Sequence, residues 1–115
     1  MIKQLLTIAG LMSCSFLYSQ NVNIPDANFK AYLIGNTDIN TNGDAEIQLS
    51  EANNFTGSID CPSSNIASLT GIEAFVKIYQ LSCYNNQIKS LDTSKNIALT
   101  SLECFNNQLT NLIIS

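Results

Sequence analysis

The side chains with the greatest capacity for chemistry fall into three sets. The first is a run of oxygen-bearing residues, Asn40, Asn42, Asp44, Glu46, Gln48 and Glu51, at mostly alternate positions between two apolar stretches. Spaced oxygens closed by a carboxylate are what a hard divalent cation such as calcium requires. The second set is the thiols Cys61, Cys83 and Cys104, separated by 22 and then 21 residues. Thiols invite disulfide, zinc or redox chemistry. The third set is two carboxylate pairs, Asp44 with Glu51 and Asp60 with Glu103, which could serve as an acid and a base.

Counted from Asn40, the first set matches an EF-hand calcium loop in part. Asn40, Asn42 and Asp44 take the first, third and fifth positions, Ile47 the eighth and Glu51 the twelfth, where a bidentate carboxylate belongs. The sixth position needs Gly for its turn and holds Ala45, and the first ligand is Asn rather than Asp. Starting at Asp38 restores Gly43 to the sixth position but puts Leu49 at the twelfth. In the better register only Asp44 and Glu51 carry charge. The pattern therefore predicts weak calcium binding at most, and a polar turn between two helices as the plainer reading. No other cofactor is expected.

The thiols read differently. Zinc sites need close Cys-x-x-Cys pairs or His, and the chain has neither. A disulfide would leave one Cys over, and residues stacked in register rarely offer the required torsion. Cys61, Cys83 and Cys104 are expected as small apolar core residues. Catalysis finds little support. With no His, no serine has an evident base, and nothing in the spacing sets either carboxylate pair across a cleft. The chain is read as non-enzymatic.

The elements that position these residues are repeats. Ile78 to Leu91 recurs as Leu99 to Leu112, each apolar position shifted by 21: Leu81 to Leu102, Cys83 to Cys104, Ile88 to Leu109, Leu91 to Leu112. A weaker copy, Ile59, Cys61, Ile66 and Leu69, lies 22 residues earlier. This is the leucine-rich-repeat signature. It predicts short parallel strands about 4.8 Å apart, with Leu81 and Cys83 pointing inward and Ile88, Leu91, Leu109 and Leu112 filling the interior. Asn86 and Asn107 are expected to turn the chain and satisfy buried backbone groups with their side-chain amides. Ser64 takes that place in the first copy. Segment 92–98 is predicted as a turn or one 3₁₀ turn. The pattern stops mid-repeat, after about two and a half copies, and predicts a truncated product or a fragment of a longer array.

Ahead of the repeats, residues 21–56 read as a helical cap covering the first strand. Pro25 is placed at the first helical position and Asp26 near the helix's positive end. Phe29, Tyr32 and Leu33 share one face, and Gly35-Asn36 supplies a left-handed stop. A second helix is expected to start at Ser50. Residues 1–20, with Lys3 followed by an apolar run from Leu5 to Met12, read as a secretory signal peptide cleaved near Ser19 or Gln20. Leu11-Met12-Ser13-Cys14 also resembles a lipobox, making a lipid anchor on Cys14 the alternative. No transmembrane helix is expected. Nine acidic residues against five lysines, a net charge of −4, disfavour nucleic-acid binding.

From Ile24 onward the chain resembles the secreted leucine-rich-repeat proteins of Gram-negative bacteria, broadly internalin-like. The matching residues are Ile24-Pro25-Asp26-Ala27-Asn28-Phe29, the loop from Asn42 to Glu51, the link from Leu69 to Phe75, and the cysteine-bearing repeats. The resemblance implies a horseshoe solenoid with an N-terminal cap, secreted or at the cell surface, engaging a protein or cell-surface ligand. The candidate contacts flank the inward residues: Tyr79, Ser82, Tyr84 and Asn85, then Glu103, Phe105 and Asn106. The alternative is a non-catalytic accessory or structural segment of a larger secreted enzyme or surface protein.

Overall fold

The computed structural model describes residues 20–114. It is a small mixed α/β chain, with two short helices near the N-terminus followed by short parallel strands. The expected leader up to residue 19, with Cys14, lies outside the described residues. In chain order the elements are α1 (Ala27–Gly35), α2 (Leu49–Asn54), β1 (Ser58–Asp60), a 3₁₀ turn (Ile72–Ala74), β2 (Gln80–Ser82), β3 (Ser90–Asp92), β4 (Ser101–Glu103) and β5 (Asn111–Ile113).

Two parallel sheets carry the repeat residues. In the first, β1, β2 and β4 lie side by side, with Ile59 opposite Leu81 and Leu81 opposite Leu102. The register equals the sequence offsets of 22 and 21. Ile59, Leu81, Cys61 and Cys83 are buried, and Leu102 and Cys104 are half-buried against them. The second sheet pairs β3 with β5, Leu91 opposite Leu112. It was not anticipated: Ser90-Leu91-Asp92 has one apolar residue between two polar ones, too little alternation to read as a strand. Segment 92–98 turns without forming a helix. Ile88 and Leu91 are interior as expected, whereas Leu109 is half-buried and Leu112 is 42% exposed. The reason is position: β4 and β5 are the outer strands of their sheets among the described residues.

Two short helices form near the N-terminus, and their ends differ from those expected. Asp26, not the turn of helix after it, is the N-cap of α1: its Oδ1 accepts the N–H of Asn28 (3.0 Å) and Phe29 (2.9 Å). Pro25 therefore lies before the helix. Phe29 and Leu33 are buried, and Tyr32 reaches the first strand, where its phenol oxygen accepts the Asp60 N–H at 2.9 Å. The helix closes on Asn36 with φ −95°, extended rather than left-handed. The second helix starts at Leu49 behind Gln48, whose N–H donates to Glu51 Oε1 at 2.9 Å. Ser50 lies inside the helix and is not its cap. At Gly71 (φ +110°) the segment leading into α1 passes so close that a Cβ would lie 2.8 Å from Ile24 Cγ1. Only glycine meets both conditions.

Candidate functional site

The first sheet sets its outward side chains in rows. Alternation along each strand, with the observed register, gives one row of Asp60, Ser82 and Glu103. Two residues further on, Pro62, Tyr84 and Phe105 occupy the equivalent places. The rings of Tyr84 and Phe105 are stacked, with centroids 4.6 Å apart and planes at 9°. Phe105 is 54% exposed and Tyr84 half-buried. In the acidic row, Ser82 Oγ donates to Glu103 Oε1 at 2.6 Å. Gln80 Nε2 also reaches that hydroxyl, at 3.5 Å. Ser82 belongs to the outer face, but these neighbours cover it to 2% exposure. It orients Glu103 and offers little surface itself.

Asn85 and Asn106 follow the aromatic row and take left-handed backbone angles, φ 59° and 54°. Asparagine tolerates that region better than other non-glycine residues. Their side chains join along the surface: Asn106 Nδ2 donates to Asn85 Oδ1 at 2.9 Å, and Asn85 Nδ2 to Ser63 Oγ at 3.4 Å. The Asn-Asn pairs thus divide two tasks, the first residue turning the chain and the second sending its amide inward. From the sequence, Asn86 and Asn107 are expected to turn the chain and Asn85 and Asn106 to be contacts; the left-handed angles belong to Asn85 and Asn106. The signal that separates them is the order within the pair. Tyr79 is exposed but precedes β2 and is out of phase with Ser82 and Tyr84, so it does not join their row.

Asn86 and Asn107 hold the turns together. Asn86 Nδ2 donates to the carbonyls of Cys61, Cys83 and Tyr84, and its Oδ1 accepts the N–H of Ser64 and Ile66. Asn107 donates to Cys83, Cys104 and Phe105 and accepts from Ile88. Ser64 cannot do this and instead bonds its near neighbour, Pro62 O, at 2.8 Å. The thiols beneath are unbonded to one another, in disulfide terms free. Burial pushes the Cys61 and Cys83 thiols up to about 12, so they are protonated and unreactive; Cys104 shifts in the same direction for the same reason.

The EF-hand-like loop is a hydrogen-bonded knot. Glu51 Oε2 accepts the N–H of Thr41 (2.8 Å) and Asn42 (3.3 Å), while Oε1 accepts that of Gln48. Asp44 Oδ2 accepts from Asn42 Nδ2 (3.2 Å) and Gln48 Nε2 (2.8 Å). Glu46 turns away to pair with Lys30 at 2.9 Å. Buried Asn40 donates to the Ile34 and Asp44 carbonyls, and its Oδ1 is left without a partner. Two amide N–H₂ groups point at Asp44, where a cation would place positive charge, and both Glu51 oxygens serve backbone donors. The donor set does not fit a calcium shell. Asn40, Asn42, Asp44, Gln48 and Glu51 are brought together in one hydrogen-bonded turn, while Glu46 pairs outside it and Asn40 Oδ1 stays unpartnered. Among the described residues no three His, Cys, Asp or Glu side chains cluster for a metal.

The groove of about 270 Å³ between Ser68, Glu73, Lys89 and Asp92 is lined by single charges, and Glu73 Oε2 is occupied by the Gly71 N–H. Asp60 and Glu103 lie in one row on either side of Ser82, not across a cleft. No helix among the described residues is long and apolar enough to cross a membrane. No protein-family model matches the chain, and comparison with curated proteins finds no match.

Proposed function

We propose that this chain is an exported leucine-rich-repeat protein of the internalin-like kind, a capped solenoid that binds a protein or cell-surface ligand through the outer face of its first sheet. One observation carries the reading: the stacked Tyr84–Phe105 pair, Phe105 exposed and Tyr84 half-buried, lies on the outer face of a sheet whose other face is the core. Neighbouring aromatics held by a rigid backbone bury much area at small entropic cost and commonly anchor interfaces. The neighbouring row of Asp60, Ser82 and Glu103 is polar, as a rim should be. The 21-residue offset, the in-register strands and the inward asparagines support the solenoid part of the reading. The function is read as non-catalytic, since the carboxylates of the face are not set across a cleft from one another.

The test is adhesion. Beads carrying the wild-type chain and beads carrying Tyr84→Ala/Phe105→Ala are compared for attachment to cell surfaces, after circular dichroism confirms that both are folded. Loss of attachment by the double variant supports the reading. Equal attachment overturns it and leaves the aromatic pair as cross-strand packing alone, in a segment that is structural.

A further inference from the structure

Resting on the binding face just proposed, the partner's chemistry can be narrowed: we propose that the face takes an extended basic segment of a protein, with an arginine guanidinium on the Phe105 ring and against the Glu103 carboxylate. Charge points that way first. The acidic row runs directly beside the aromatic row, and its two carboxylates, Asp60 and Glu103, are exposed. The lysines among the described residues are 30, 77, 89 and 95, and none falls in these rows. Lys30 is already paired with Glu46. The face is therefore anionic with no internal counter-charge, on a chain of net charge −4.

Geometry narrows the cation. Ser82 holds Glu103 Oε1 at 2.6 Å, which fixes the carboxylate two residues before Phe105 and leaves Oε2 for an incoming donor. One face of the Phe105 ring lies on Tyr84, and the opposite face is turned away from it. A planar guanidinium can stack on that ring and donate an N–H to Oε2 in the same pose. A compact ammonium satisfies the charge but not the stack. Carboxylates at the two ends of one row, Asp60 and Glu103, with the rings in the row beside it, favour an extended segment lying across the strands. An acidic or uncharged segment would leave Asp60 and Glu103 desolvated without compensation.

The probe is a fluorescent nine-residue peptide with arginine at alternate positions, and its citrulline counterpart, followed by anisotropy at low and raised ionic strength. Binding of the arginine peptide, weakened about tenfold by Glu103→Gln and by Phe105→Ala and unmoved by the off-face Glu73→Gln, supports the proposal. Glu103→Gln keeps the shape and the Ser82 hydrogen bond, so it separates charge from folding. Absence of binding, equal binding of the citrulline peptide, or equal weakening by Glu73→Gln overturns it. The adhesion assay separates the two readings. If attachment is lost in Tyr84→Ala/Phe105→Ala but unchanged by Glu103→Gln and by excess arginine peptide, the binding face stands and the basic partner falls. If the double variant attaches normally, both fall.

Discussion

The side-chain oxygen of Asn86 accepts the backbone N–H of Ile66 at 3.0 Å, twenty residues upstream and one strand back. The same amide donates to Cys61 O at 3.0 Å and Cys83 O at 2.9 Å, so a single side chain serves two neighbouring levels of the structure. Asn107 does the same one level on, accepting from Ile88 at 3.0 Å and donating to Cys83 O and Cys104 O at 3.0 Å.

Replacing Asn86 by Ala removes all five hydrogen bonds of its side chain, several of them to groups shut away from water. Orphaned buried donors and acceptors cost about 1–3 kcal/mol each, and partial relaxation should hold the total near 3 kcal/mol. Asn107→Ala, at a wetter level, is expected to cost about half as much. Urea denaturation of the two variants checks the ranking.

Leu81 is fully buried between Ile59 and Leu102. Truncation to Ala should cost roughly 2–5 kcal/mol, because strands bonded on both sides cannot close the gap. Leu102→Ala should cost distinctly less, since Leu102 is half-buried. Thermal and chemical melts of both variants measure the difference.

The thiols should react in a fixed order. Cys61 and Cys83 are buried and held near pKa 12, while Cys104 is partly open. Alkylation at pH 8, followed by peptide mass spectrometry, should label Cys104 first and the other two only when the chain is unfolded.

Glu51 ties Thr41, Asn42 and Gln48 to the start of α2. Glu51→Gln keeps the shape but puts an N–H₂ against at least one of these donors, and should cost about 1–2 kcal/mol. Calorimetry of the wild type with millimolar calcium should show no binding heat. A heat that disappears in Glu51→Gln would mean that the knot opens to admit the ion.

Asp26 joins α1 to the segment after β1: Oδ1 caps α1, and Oδ2 accepts the N–H of Ala67 (2.8 Å) and Ser68 (3.2 Å). Burial alone would raise its pKa, but the N–H groups of Phe29, Ala67, Ser68 and Asn28 together outweigh it and hold the carboxyl below its usual 3.8. A depressed carboxylate stabilises the fold above its unfolded pKa and loses that contribution as pH falls through the folded value. The wild type should therefore lose stability in the acid limb below about pH 4. Asp26→Ala should be less stable by about 2 kcal/mol at neutral pH, with a shallower acid limb.

Much of this arrangement was legible in the residues. The shift of 21 between Leu81 and Leu102 is the strand register itself, and the inward asparagines follow from the need to satisfy a turn out of a buried strand. What escaped was set by contacts between distant segments. β3 and β5 are strands because Leu91 and Leu112 fall side by side once the first sheet is stacked, and neither carries a local strand signal. Gln48 displaced Ser50 as helix cap because Glu51, counted as a metal ligand, closes back on the Gln48 N–H. Ser82 reads as an outward residue on any strand; Glu103, brought in by the register, and Gln80, two residues back on the same strand, bond its hydroxyl.

The inward asparagines lend the chain an arrow. Each reaches back and fastens the level before it, as a roof tile holds down the one beneath. Lifting the tile that contains Asn107 bares Ile88 but leaves the grip of Asn86 on Ile66 intact. Opening should travel one way, from β4 toward the helices, and deuterium should enter at Ile88 well before Ile66.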